Sequence, residues 1–190
     1  MADGNPLQQA TGGTEARPDP DDLIRLFDRT FADSENTVLV RGGDAPLYLP
    51  ADRGHPRHRI LFAHGFYASA LHEIAHWTIA GPARRRRVDY GYWYRGDGRS
   101  AAGQAAFETV ELRPQAIEWA FSLVAGRRFR VSVDNLSGAP VDRHAFRRRV
   151  HRELCRLDHD GFPPRARRFL RVLCNAWATV LRIPPEPGQD

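Results

Sequence analysis

The chain contains no lysine, so all 28 of its basic residues are arginines, and we draw no chemistry from that absence alone. Cysteine is also scarce. Cys155 and Cys174 form no CxxC pair, and in a reducing compartment a disulfide between them is not expected. No apolar run approaches the roughly 20 residues of a membrane-spanning helix. The N-terminus lacks the basic-then-apolar order of a signal peptide. We therefore expect a cytoplasmic protein with no membrane partner.

The 190 residues are enough for one domain with its own core and few for two. Hydrophobic residues make up 42% and charged residues 27%, which is typical of a globular protein. Residues 1–18 carry few apolar side chains and are expected to form a disordered tail. Residues 184–190 are rich in proline and predict a flexible C-terminal tail. A single catalytic domain is therefore expected over residues 19–183.

The formal net charge of +5 favours an acidic partner. Two arginine runs stand out, at residues 84–87 and 147–149, and the alternative for each is a solvated face. No sequence signature of a nucleic-acid-binding fold accompanies the charge. Nucleic acid is therefore an unlikely partner, and an acidic protein is favoured.

The hydrophobic pattern interleaves helices with short strands, without a regular βαβ period. Helices are predicted to begin near residues 19–22 and to span 66–80, 101–125, 142–158 and 164–181. Pro114 is expected to break or kink the third of these, or to begin a second helix there. Strands are predicted at 37–40, 47–49, 59–63, 88–94 and 129–133. This order predicts an α+β fold, with one compact domain in which helix 66–80 packs on a small mixed sheet.

That helix carries the most informative motif, HExxH, as His72, Glu73 and His76 with two residues between. Residues four apart in a helix share one face, so both imidazoles can approach one metal ion. Apolar residues beside that face predict a site at the edge of the core; they are Leu71, Ile74, Ala75 and Ile79. The alternative is two histidines that hydrogen-bond to the backbone or to Glu73.

Two histidines hold a divalent ion weakly, so a third ligand is required. The extended zinc-protease pattern fails, because Ile79 and Pro82 stand where glycine and the third histidine should be. The next helix offers three acids: Glu108, Glu111 and Glu118. We prefer Glu111, which lies just before the predicted kink at Pro114, and place Glu108 second. The alternative for each is an exposed acid on a helix.

Two histidines and one carboxylate fit two chemistries. With zinc, a water would take the fourth position and Glu73 would be the general base of a hydrolase. With ferrous iron, the same three ligands leave positions open for dioxygen and substrate oxidation. The types of ligand do not decide between them.

Several long motifs of this chain resemble the elongation factor P hydroxylase family. They are YLPAD (48–52), FAHGFYASALHEIAHW (62–77), IAGPARR (79–85), VDYGYWYRGDGR (88–99), FETVELRPQAIEW (107–119) and DNLSG (134–138). The resemblance extends over about residues 22–181. It implies a fold unlike the standard oxygenase barrel and a non-heme iron monooxygenase that hydroxylates the modified lysine of translation elongation factor P.

The resemblance also implies roles for particular residues. His72, His76 and Glu111 would bind Fe(II), with zinc able to replace it in vitro and dioxygen as co-substrate. Glu73 would handle a proton or orient a neighbour rather than act as a protease base. Elongation factor P is expected to be acidic and to dock on the basic run formed by Arg84, Arg85, Arg86 and Arg87.

Further side chains are expected to line the pocket for a long aliphatic substrate: His64, Tyr67, Tyr92 and Trp93. The alternatives are an ordinary aromatic core and, for His64, a loop histidine that caps the helix. Two other functions compete with the hydroxylase. One is a zinc metallohydrolase with Glu73 as base. The other is a non-enzymatic module that binds an acidic translation protein and would function without His72.

Overall fold

The structure, a computed structural model, describes residues 19–90 and 97–186. Within these ranges the helices are α1 (Pro20–Phe31), α2 (Tyr67–Ile79), α3 (Ala101–Val124), α4 (Arg143–Asp160) and α5 (Pro164–Ala176). The strands are β1 (Thr37–Arg41), β2 (Leu47–Leu49) and β3 (His58–Phe62). The predicted α+β class with a small mixed sheet is confirmed. None of the described helices has both the length and the apolarity needed to cross a membrane.

The sheet has the order β1-β3-β2. β3 runs parallel to β1, with Leu39 opposite Ile60, and antiparallel to β2, with Tyr48 opposite Ile60. Leu39, Ile60 and Phe62 are buried and face the helices. The sheet therefore offers one apolar face against which the helices can pack.

A tight turn connects β3 to α2 and directs α2 back over the sheet. His64 and Gly65 both adopt positive φ, 52° and 66°. The positive φ at Gly65 is a conformation that glycine adopts without the strain a Cβ would bring. Ser69 Oγ accepts a hydrogen bond from the amide of Ala63 at 3.0 Å and holds the turn against the first turn of α2. These contacts fix where the HExxH helix begins.

One hydrophobic cluster joins the sheet to the helices. The apolar side of α2 is fully buried at Ala70, Leu71, Ile74 and Ala75. Burial of this apolar surface is the main stabilising contribution to the position of α2. At the C-terminal end of α2, Arg165 of α5 donates to the carbonyls of Trp77 and Ala80 and stacks on the Trp77 ring. Both ends of the helix are thus held by tertiary contacts.

α3 passes through Pro114 without ending, so the predicted break is absent. Proline cannot donate to the carbonyl four residues earlier, at Val110. Val110 itself lies on the exposed side of the helix, 47% exposed. The two glutamates on either side of Pro114, Glu111 and Glu118, therefore lie on one continuous helix.

The strand predicted at residues 129–133 is wrong, although buried and more exposed side chains do alternate along this segment. Phe129, Val131 and Val133 are buried, but no neighbouring strand pairs with them within the described ranges. The side-chain amide of Gln115 takes the place of a strand partner: it accepts from Ser132 N at 3.0 Å and donates to Ser132 O at 2.8 Å. Residues 129–133 thus form an extended segment held by α3.

Two other boundaries differ from the prediction. α5 ends at Ala176 rather than at 181, because Ala178 adopts a positive φ of 49° and the Thr179 hydroxyl bonds the carbonyl of Val124. Of the strand predicted at 88–94, only Asp89 pairs, in a single bridge to Tyr48, and residues 91–94 lie outside the described ranges. The C-terminal tail predicted at 184–190 is described to 186, and the Pro184 carbonyl bonds His151 Nε2 at 2.8 Å.

A compact junction joins the loop before α3 to the loop before α4. The Asn135 side chain accepts from Arg99 N at 2.7 Å and donates to the carbonyls of Arg99 and Ala139. Asp97 accepts hydrogen bonds from the amides of Leu136 and Ser137 and from the Ser137 hydroxyl. The DNLSG stretch is therefore the piece that fastens these two loops together.

Candidate metal centre

Three side chains from α2 and α3 converge at the edge of the core. The Nε2 atoms of His72 and His76 lie 3.1 Å apart. Glu111 from α3 approaches both rings, with Oε1 at 3.2 Å from His76 Nε2 and Oε2 at 3.7 Å from His72 Nε2. The ligand atoms of the three residues all lie within 4.8 Å of one another. This is a group that could hold one metal ion.

The spacing of the two imidazole nitrogens fits shared coordination. Nitrogen ligands about 2.1 Å from one ion at angles near 90–110° lie roughly 3.0–3.4 Å apart. The 3.1 Å separation of His72 Nε2 and His76 Nε2 falls in that range. Two ring nitrogens that face each other need a proton or a cation between them. The donor set therefore suits a divalent metal.

A fourth residue, Glu118, holds His72 from its other side. Its Oε2 lies 2.8 Å from His72 Nδ1, while the opposite nitrogen of the ring faces Glu111. Nδ1–H thereby donates a hydrogen bond to Glu118, which leaves Nε2 as the nitrogen that a metal ion would bind in place of a proton. The sequence had marked Glu118 only as a possible third ligand, and the structure gives it this orienting contact instead.

Gln115 fastens Glu111 to the extended segment 129–133. Its Nε2 donates to Glu111 Oε2 at 3.3 Å and to the carbonyl of Ser132 at 2.8 Å. Gln115 is fully buried. Sequence reasoning missed this residue, although its position one turn after Glu111 placed it on the same face of the helix.

The carboxylates and imidazoles of the cluster shift one another's pKa values. Burial lowers the pKa of His72, but the carboxylates of Glu118, Glu111 and Glu73 outweigh burial and raise that pKa to about 10. Burial also opposes ionisation of Glu111, yet its hydrogen bond to His76 and the nearby imidazoles lower its pKa to about 2. The cluster thus pairs an ionised carboxylate with positive charge, which is the electrostatic setting of a cation site.

Glu73 points into a small pocket beside His76. The pocket has a volume of about 30 Å³, and Tyr48 and Arg84 also line it. That volume corresponds to roughly one water molecule in the liquid. Burial raises the pKa of Glu73 despite the neighbouring His72 and His76. Glu73 is thus placed next to the candidate ligands without being one of the three.

The second-choice ligand, Glu108, faces a different neighbour. Its carboxylate accepts from Arg149 of α4 at 2.8 Å and from Gln104 at 3.1 Å. It does not belong to the group formed by His72, His76 and Glu111. Glu108 lies three positions before Glu111 on α3, and that offset is enough to turn it toward α4.

Of the residues predicted to line a substrate pocket, the two that the structure describes, His64 and Tyr67, do not line a common pocket. His64 lies in the turn before α2, 5.5 Å from the Phe66 ring between centroids, and does not line the pocket that holds Glu73. Tyr67 is buried beneath the guanidinium of Arg127, along a separate groove. Its hydroxyl finds no hydrogen-bond partner in the described part of the chain. Tyr92 and Trp93 lie outside the described residues.

The basic run at residues 84–87 is only half available to a partner. Arg84 pairs with Asp89, and Arg85 pairs with Glu35 at 2.8 Å. Arg86 and Arg87 are exposed. The first two arginines thus fasten the segment after α2, and the last two face solvent.

Comparisons with known proteins agree with the motif resemblance. The family model described as elongation factor P hydroxylase matches residues 26–185. A curated relative from Haemophilus influenzae, the elongation factor P lysine hydroxylase, is 46% identical over 159 residues. That alignment covers 84% of this chain and 89% of the relative.

Proposed function

The chain belongs to the elongation factor P hydroxylase family, and we propose that it hydroxylates a lysine side chain of translation elongation factor P. The observation that carries this proposal is the convergence of His72, His76 and Glu111 from two helices of a chain with this family's motifs. We place the reaction in the cytoplasm, with the translation factor that is its substrate.

His72, His76 and Glu111 are the residues we assign to a ferrous ion, which would supply activation of dioxygen for oxidation of a lysine methylene group. Two imidazoles and one carboxylate on one side of an ion leave its remaining positions open to co-substrate and substrate. The 3.1 Å spacing of the imidazole nitrogens supports this assignment. Zinc fits the same donors and is expected to bind in vitro.

The neighbouring residues prepare these ligands. Glu118 keeps the His72 proton on Nδ1, so that Nε2 is presented to the ion. Gln115 holds one oxygen of Glu111 and limits rotation of the carboxylate. Glu73 shares a pocket with His76 and is placed to exchange a proton with a water molecule there. We retain His64, Tyr67, Tyr92 and Trp93 as candidates for contact with the substrate.

A zinc hydrolase would use the same histidines with Glu73 as general base. Membership of the hydroxylase family argues against this alternative. The two functions differ in what they do to a protein substrate, because one adds an oxygen atom and the other breaks a peptide bond. Metal content and substrate mass therefore separate them directly.

The decisive experiment co-expresses elongation factor P with the wild-type chain, His76→Ala or His159→Ala. His159 is the control because its side chain is 88% exposed and lies outside the metal cluster. We expect intact-mass spectrometry to show one added oxygen atom with wild type and His159→Ala and none with His76→Ala. Anaerobically purified protein should hold iron in the same two cases. An oxygen still added by a folded His76→Ala protein would refute the ligand assignment.

A further inference from the structure

We propose that a basic groove distinct from residues 84–87 docks an acidic surface of the protein substrate; this inference rests on the proposed function. The groove lies between the extended segment and the start of α4. We call it the arginine groove and define it by these lining residues: Arg128, Arg130, Arg143, His144 and Arg147. It has a volume of about 430 Å³, and Phe129 and Val131 form its apolar floor.

Among the described residues, no ion pair balances the arginines of the groove, although Asp142 interacts electrostatically with His144. No carboxylate of the described residues lies within ion-pair distance of Arg128, Arg130, Arg143 or Arg147, although many other arginines pair with acids. No aspartate or glutamate lines the groove. Four guanidinium groups gathered without an ion-paired carboxylate attract a polyanionic surface and accelerate its encounter.

Two of the arginines are held in place before any partner arrives. Arg143 Nη2 donates to the carbonyl of Val131 at 3.2 Å. The guanidinium carbon of Arg147 lies 5.4 Å from the centroid of the Trp119 ring. Both residues are exposed, and a planar guanidinium can bind a carboxylate through two parallel hydrogen bonds. Fixing these side chains beforehand reduces the entropy cost of docking.

Hydrogen bonds, rather than a shared cavity, connect the groove to the candidate metal centre. Its floor runs from Phe129 and Val131 into Ser132, which is bonded by Gln115, and Gln115 is bonded to Glu111. On the other side, Arg128 also lines a second groove that includes Leu71, the residue before His72. A protein seated on these arginines would therefore contact the segment that Gln115 ties to Glu111.

The structure favours a protein over a nucleic acid as the occupant. Proteins that bind single-stranded nucleic acid offer exposed aromatic rings on which bases stack. Here Phe129 is only 7% exposed and its ring stacks on Trp119 with centroids 4.8 Å apart. The groove therefore offers charge and carboxylate-matching donors without a stacking surface.

The test compares two double variants with equal change of charge. Arg128→Glu with Arg130→Glu alters the groove at two exposed side chains that make no hydrogen bond to the rest of the described chain. Arg167→Glu with Arg171→Glu makes the same change on the exposed side of α5, outside the groove. The measurements are Kd and KM for elongation factor P purified from cells that lack the hydroxylase, at low and high salt, together with kcat and bound iron.

The groove variant should raise Kd and KM about tenfold or more at low salt, with loss of most of their salt dependence. Its kcat at saturation and its iron content should match wild type, and the α5 variant should stay within about twofold of wild type in every measurement. If the groove variant had the same Kd and KM as the wild type, the docking proposal would be overturned. Hydroxylation by the wild-type chain would still support the proposed function in that case. A groove variant that loses binding to transfer RNA but keeps binding to elongation factor P would also overturn it. If binding depended on the groove but the wild-type chain did not hydroxylate elongation factor P, the docking site would be supported and the proposed function refuted.

Discussion

Glu111 and Glu118 lie seven residues apart on α3 and approach opposite sides of the His72 ring. Glu111 faces Nε2, where a metal would lie, and Glu118 holds Nδ1 at 2.8 Å. Two turns of one helix thus supply both a candidate ligand and the carboxylate that orients its neighbour. Each contact fixes the role of one ring nitrogen.

We predict that Glu118→Gln weakens metal binding by about tenfold to 100-fold. The amide can still accept from Nδ1, but it lacks the negative charge that increases the basicity of the imidazole. Titration with Co(II) under anaerobic conditions, followed by visible absorption, measures the affinity.

Glu108→Gln is the matched control, because Glu108 lies on the same helix but pairs with Arg149. Its metal affinity should equal that of wild type. Equal losses in the two variants would mean that the effect arises from α3 as a whole rather than from the Glu118 contact.

The sequence predicted part of this site. HExxH spacing places His72 and His76 on one face, and the acids of the next helix could be named as candidates. The spacing alone does not rank Glu108, Glu111 and Glu118, because the choice depends on how α3 is rotated against α2. Glu118 could have been found from its seven-residue spacing to Glu111, which returns to the same face of a helix. The backbone contact of Gln115 left no such signal.

At the scale of elements, the junction between the loops before α3 and α4 depends on Asp97. Hydrogen bonds from Ser137 and Gly98, with Leu136 also contributing, lower the pKa of Asp97 to about 2. A carboxyl group with a folded pKa below its unfolded value stabilises the fold above the unfolded pKa. That stabilisation is lost as the pH falls through the folded pKa.

Asp97→Asn should therefore lower the free energy of unfolding near neutral pH, and the difference from wild type should shrink as the pH falls from about 4 toward 2. Urea unfolding at a series of pH values measures this difference. A gap between the two proteins that stays constant over that interval would show that the Asp97 charge does not hold the junction.

Gly138 is required by close approach at the same junction. A Cβ there would overlap the Asn135 side chain and the carbonyl of Arg99, and the latter is backbone that cannot move aside freely. Gly138→Ala should destabilise the protein by about 1–3 kcal/mol, as overpacking does elsewhere. Denaturant titration measures the loss.

Gly43→Ala is the control for this substitution, because a Cβ at Gly43 meets nothing within 4 Å. Its stability should stay close to that of wild type. If Gly138→Ala were equally harmless, the close packing at the DNLSG stretch would not contribute to the free energy of unfolding.

The prediction of helices and strands succeeded where nearby residues mark the end of an element. It failed where contacts with distant parts of the chain determine the backbone conformation. α1 begins where predicted because Asp19 and Asp22 form a capping box. The alternation at 129–133 correctly marked which side chains are buried. It could not show that the partner is the Gln115 side chain, because a helix amide can satisfy an extended backbone as a strand does. The end of α5 was missed because Thr179 bonds the end of α3.

At the scale of the whole molecule, the candidate ligands join two helices of the core, so a bound ion should stabilise the fold. At an ion concentration 100 times Kd, binding adds about 2.7 kcal/mol. For a chain of this size that corresponds to a rise in Tm of about 5–10 °C. Anaerobic Fe(II) or Co(II) should produce this rise in wild type, and a chelator should reverse it.

His76→Ala should show no such rise, and His159→Ala should respond like wild type. Differential scanning fluorimetry measures all three proteins at the same ion concentration. A similar increase in Tm for His76→Ala would indicate that the ion binds somewhere other than the α2–α3 cluster.

The amide of Gln115 has a thermodynamic consequence, since it bonds both the backbone of the segment that floors the arginine groove and the carboxylate of Glu111. Linkage makes any such coupling reciprocal. If a docked partner multiplies the affinity for metal by some factor, bound metal multiplies the affinity for the partner by the same factor. If that factor exceeds one, the Gln115 contacts make the metal-bound protein the form to which the partner binds more tightly.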